Sequence, residues 1–131
     1  MRKDAERWMA FAADDLRAAE VLCAEGVWGQ ACFHAQQAAE KALKALLASA
    51  TGEAPPRTHG IAELLFLLPE TSLSAIRAEL AESLDDYYLP TRYPDALPGS
   101  LPDGLPGRDE ALEALSLAQR TCAEARRLLN L

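Results

Sequence analysis

The chain has 131 residues, half of them apolar and a quarter charged, with 20 acidic against 13 basic side chains and a net charge of −7. That length suits one domain that buries a core without metals or disulfide staples. The acidic balance repels a phosphate backbone at long range and argues against general DNA binding. Alanine and leucine dominate and β-branched residues are scarce, which favours helix over strand.

Period-3.6 apolar spacing predicts five helices. The first runs from Asp4, a candidate N-cap, to Glu25, with a stripe of Trp8, Phe11, Ala12, Leu16, Ala19, Leu22 and Cys23, and ends at Gly26. The second runs from Gly29 to Ala50 and closes at Gly52. Its alanines cover most of the circumference, which suits the centre of a bundle where neighbours approach closely. A short third helix spans Gly60 to Leu68 and is stopped by Pro69. The fourth spans Leu73 to Tyr88 and aligns Leu73, Ile76, Leu80, Leu84 and Tyr87. The fifth spans Arg108 to Leu129, with a seam of Ala111, Leu115, Ala118, Cys122, Ala125 and Leu129. The fold class is therefore all-α: an up-and-down four-helix bundle with one additional short helix, forming a single helical domain over 1–131.

Between the last two helices proline recurs every fourth residue, at Pro90, Pro94, Pro98, Pro102 and Pro106. Leu89 to Asp95 reads as ordered and 96–107 as a flexible Pro/Gly loop. The three cysteines form no CxxC pair and read as small buried hydrophobes rather than metal or redox groups. The start turns charged at once, without a signal peptide, and no apolar run approaches a membrane span, so the expected address is cytoplasmic.

Chemistry-bearing residues gather in four places. On the second helix, His34, Gln37, Lys41 and Lys44 fall within about 80° of one another at ~100° per residue. One imidazole, one amide and two ammonium groups on a face can receive a phosphate or carboxylate; alternatively the lysines are solvated rim residues and His34 a half-buried, satisfied histidine. Asp15 projects from the apolar face of the first helix and calls for a structural ion pair, with Lys41, His34 and Arg92 as candidate partners. Tyr87 to Asp95 is a proline-stiffened segment whose Tyr88, Arg92, Tyr93 and Asp95 suit binding of a base or a partner protein, or simple packing of a helix end. His59 stands at the entry of the third helix, where it can meet an anion or cap the helix. With two histidines in the chain no histidine-rich metal site is possible, no cofactor is expected, and phosphate loops and nucleophile elbows are absent.

Four stretches taken together resemble the HEPN family, small helical domains named for nucleotide binding in higher eukaryotes and prokaryotes. They are Trp8 to Leu16, Phe33 to Lys44 (FHAQQAAEKALK), Thr58-His59 with Ile61 and Leu64, and Tyr88 to Asp95 (YLPTRYPD). The resemblance implies an up-and-down bundle, commonly a homodimer, with the long helices lining a groove. It also implies company: many such proteins are encoded beside a nucleotidyltransferase-like protein in toxin–antitoxin-like pairs. Some members are ribonucleases, with an arginine and a histidine separated by four to six residues. Here positions 97–99 after Arg92 are Leu97, Pro98 and Gly99, and no histidine follows Arg108. The acid–base partner for RNA cleavage is missing from that place. The expectation is a non-catalytic module that binds a nucleotide or small phosphate ligand. The alternatives are a dimeric partner of a nucleotidyltransferase-like protein and, third, a ribonuclease in which His34 or His59 replaces the missing histidine.

Overall fold

The computed structural model describes residues 2–58, 60–84 and 106–131. Among them lie five helices: α1 (Arg2–Ala24), α2 (Trp28–Thr51), α3 (Ile61–Leu67), α4 (Arg77–Ser83) and α5 (Arg108–Leu129). The fold is all-helical. No helix of the described residues is long and apolar enough to cross a membrane.

The α1–α2 turn sets the geometry of everything that follows. Gly26 adopts φ 75°, a left-handed conformation open to glycine, and Val27 N–H donates back to Leu22 O at 2.9 Å. The chain thereby reverses within three residues, and α1 and α2 lie antiparallel along most of their length. α5 then packs against both, with α2 as its main neighbour.

Alanine is what lets the three long helices close on one another. Ala12 and Ala19 of α1, Ala35, Ala38, Ala39, Ala42 and Ala45 of α2, and Ala111, Ala118 and Ala125 of α5 are all fully buried. The largest fully buried side chains are Leu43, Ile61, Leu64, Leu80, Leu84 and Leu117, drawn from the long and the short helices alike. The three cysteines are buried and free. Burial pushes the thiols of Cys32 and Cys122 up to about 12 and raises that of Cys23 as well.

Three sequence expectations need correction. α1 begins at Arg2, so Asp4 sits inside the first turn rather than capping it. Phe11 is 55% exposed, because the buried stripe of α1 is centred on Ala5, Met9, Ala12, Ala19 and Cys23 and Phe11 falls to one side of it. The fourth helix starts four residues later than its apolar spacing implies. Leu73 does enter the core, but with φ 59°, outside helical geometry, and the stretch before Arg77 is a series of turns. Arg77 accounts for that corner. Its Nη1 donates to Pro69 O at 3.0 Å and Ser72 O at 3.3 Å, and its Nη2 donates to Leu65 O and to Leu68 O. One guanidinium thus gathers carbonyls from the end of α3 and from the turns after it, adding a second donor to Leu65 O and Pro69 O, which already accept from Leu68 N–H and Ser72 N–H. α3 itself stops at Leu67, where Leu68 turns extended ahead of Pro69. Tyr87, Tyr88 and nearly all of the 96–107 loop lie outside the described residues.

Candidate functional site

The seam between α1 and α2 carries the polar chemistry. Antiparallel packing brings Trp8 and Asp15, two turns apart on α1, against the His34-to-Lys44 face of α2. Lys44 Nζ stands 5.2 Å from the centre of the Trp8 ring, while Asp15 meets His34 and Lys41.

Two ion-paired clusters result. In the inner one, Lys44 Nζ donates to Glu40 Oε1 at 2.8 Å, with side chains only 6% and 2% exposed. Gln37 Nε2 donates to Glu40 Oε2 at 3.1 Å and to Gln36 Oε1 at 2.6 Å. The cluster is satisfied throughout: no buried side-chain nitrogen or oxygen among the described residues lacks a partner. Lys44 is therefore no rim residue, and Gln37 is buried beside it. The helix turn that spaces Glu40 four residues before Lys44 gives the favourable orientation for such a pair, and the surrounding alanines draw it inside.

In the outer cluster the Asp15 carboxylate serves two donors, one on each oxygen. His34 Nδ1 lies 2.9 Å from Oδ1, and Lys41 Nζ donates to Oδ2. Bonding at Nδ1 fixes the ring so that Nε2 faces away from Asp15. The side chains of His34 and Lys41 are 31% and 26% exposed, so this cluster opens toward solvent. Phe33 packs edge-on against the His34 ring at 5.3 Å, and Phe11 packs edge-on against Trp8 at 6.4 Å, one helical turn from Asp15.

The structure thus brings together Asp15, His34, Gln37, Lys41 and Lys44, and divides them by depth. His59, Tyr88, Arg92, Tyr93 and Asp95 lie outside the described residues. Sequence reasoning overlooked Glu40, Gln36 and the Trp8 face. The spacing of Glu40 and Lys44 was a usable signal; the burial of Gln36 was not, since it depends on what α2 packs against.

A family model described as HEPN domain matches residues 5–128. The chain belongs to the HEPN domain family. Two solved structures resemble it over nearly their whole length. TT1696 from Thermus thermophilus is 41% identical, with a TM-score of 0.77, over 97% of this chain and 98% of that one. ST0689, an archaeal HEPN homologue, is 30% identical, with a TM-score of 0.67, over 95% and 97%. A nitrosuccinate lyase of Streptomyces davaonensis is 40% identical over 75 residues, which is 57% of this HEPN chain but 15% of the lyase. So short a share of that enzyme transfers none of its chemistry.

Proposed function

We propose that this HEPN domain is a non-catalytic module that binds a nucleotide or another small phosphate ligand at the solvent-facing edge of the α1–α2 seam. The observation that carries the reading is the double engagement of Asp15. One carboxylate holds an imidazole and an ammonium side by side, so two donors are oriented before any ligand arrives and less ordering is required on binding. A phosphate there takes the remaining ammonium protons of Lys41 and the Nε2 side of His34. Exposed Phe11, backed by Trp8, offers a ring face for a base. The buried Glu40–Lys44 pair with Gln37 braces the donors from beneath. On sequence grounds Arg92, Tyr88, Tyr93, Asp95 and His59 belong to the same ligand set. The absent arginine–histidine motif is the reason for assigning binding without catalysis.

A thermal-shift series with a nucleotide panel tests this. A ligand at about a hundred times its Kd stabilises by roughly 2.7 kcal/mol, and Lys41→Ala and Phe11→Ala should each remove most of that gain. Silence across the panel, with Lys41→Ala melting unchanged, refutes the reading.

A second reading is favoured by a different observation. Phe66 and Leu67, on the outer side of α3, are 85% and 54% exposed. Such exposure suits a homodimer or an interaction partner of a nucleotidyltransferase-like protein in a toxin–antitoxin-like pair. Co-elution with that protein, lost in Phe66→Asp, supports it; a monomer that retains no partner under any condition counts against it.

A further inference from the structure

A second polar recess lies away from the α1–α2 seam. The turn at 71–76 and the last third of α5 enclose a cleft of about 470 Å³. Its lining combines the apolar Leu73, Ile76 and Ala123 with Arg120, Arg127 and the Glu124 carboxylate. That volume falls in the range of small-molecule sites, and a few polar groups over an apolar floor are the usual composition of one.

We infer that this cleft binds a small molecule bearing a phosphate or diphosphate group, held by the guanidiniums of Arg120 and Arg127. Three features support the assignment. The wall is rigid: Arg77 ties down four carbonyls of the 65–72 corner, and Leu73 is held at φ 59° with its side chain in the core. A non-glycine residue in that conformation persists because its surroundings over-determine it. The donors suit the ligand: arginine forks match phosphate oxygens two at a time, and Thr71 and Ser74 also line the cleft. Finally, the arginines are available. Arg120 Nη2 donates to Glu79 Oε2 at 2.9 Å, and Arg127 grips both oxygens of Glu124, through Nε at 3.0 Å and through Nη2; the two guanidiniums are exposed, while Glu124 is half-buried. The single-contact Arg120–Glu79 pair contributes little, whereas the two-point Arg127–Glu124 pair has to open before Arg127 can take an anion. The two glutamates therefore hold the guanidiniums at the cleft, and an incoming anion has to displace them. This separates the cleft from the inner seam, where the Lys44 charge is buried with its partner.

Amide resonances of the full chain, followed during titration with pyrophosphate and with AMP at about 0.15 M ionic strength, test the inference. Saturable shifts at Ser74, Ala75 and Ala123 are expected, and Lys41→Ala should leave them unchanged, which separates this site from the α1–α2 edge. Arg120→Ala/Arg127→Ala should abolish saturation while leaving the melting temperature near that of the parent chain. Glu79→Gln/Glu124→Gln should tighten binding several-fold, because the competing carboxylates are gone. Silence of these resonances at millimolar pyrophosphate and AMP overturns the inference. So do shifts that persist in the double arginine variant, or an unchanged affinity in the double glutamate variant.

Discussion

Replacing Glu40 by leucine tests the inner cluster most sharply. The substitution removes the carboxylate that accepts from Lys44 at 2.8 Å and from Gln37 at 3.1 Å, and it leaves the Lys44 ammonium in a site where its side chain is 6% exposed. Breaking a buried pair by deleting one partner costs about 3–5 kcal/mol. The Trp8 ring, 5.2 Å from Nζ, offsets part of this, since a desolvated cation–π contact is worth about 2 kcal/mol. A net loss of roughly 1–3 kcal/mol follows. At about 4 °C per kcal/mol for a chain of this size, the melting temperature falls by roughly 4–12 °C. Glu40→Leu/Lys44→Met removes both charges and should recover most of the loss, because a buried pair is often replaceable by apolar side chains of similar volume. Urea unfolding at pH 7 reads both variants, with the slope m checked for constancy. A single-variant loss below about 1 kcal/mol, or a double variant as unstable as the single, refutes the claim that Lys44 is buried as one half of a charge pair.

Three further outcomes are expected. Asp15→Ala should cost about 1–2 kcal/mol by urea unfolding, less than Glu40→Leu, because Lys41 and His34 can turn toward water; a loss equal to that of Glu40→Leu would mean the outer cluster is closed. Arg77→Ala should destabilise by about 1–3 kcal/mol and raise amide exchange across 65–76, whereas unchanged exchange there would show that the corner holds without its guanidinium. The cysteines give a pH dependence. The folded-state values of Cys32 and Cys122 are raised from 9.0 to about 12, so the unfolded chain loses these protons first. Their contribution is fully present below pH 9.0 and is lost as pH rises toward about 12. Stability should decline across that window and alkylation of native protein should be slow; fast labelling of native protein near neutral pH would contradict the burial.

The long helices were legible because their apolar period and their stops coincide. Gly26 and Gly52 mark ends that the structure places within one or two residues of where the periodicity runs out. The corner at 69–76 shows where that reading fails. Leu73, Ile76, Leu80 and Leu84 keep helical spacing and all four are buried, yet the backbone through Leu73 is a turn. Periodicity reports which side chains face inward; what made the turn is Arg77, whose carbonyl contacts reach back as far as Leu65 and cannot be seen in a local window. The candidate site divides the same way. Helical phase places His34, Gln37, Lys41 and Lys44 on one face but is silent on depth, which is set by what stands opposite. Near Lys44 that neighbour is Trp8; near Lys41 it is a carboxylate at the open edge. The phase of α2 alone does not show this, because Asp15, which offsets Lys41, comes from another helix.

The alanine seams have a consequence for how this chain can change. Where Ala38, Ala39 and Ala42 of α2 meet helices that are themselves lined by Ala12, Ala19, Ala118 and Ala125, little side-chain volume remains that could shrink to make room. A methyl group added on one helix has to be matched by a shift of a whole neighbouring helix. The three long helices are therefore bound to one another as sequences as well as surfaces. Drift is open on the outer faces and at the corner near Arg77, while along the seams variation requires concerted replacement across two helices at once.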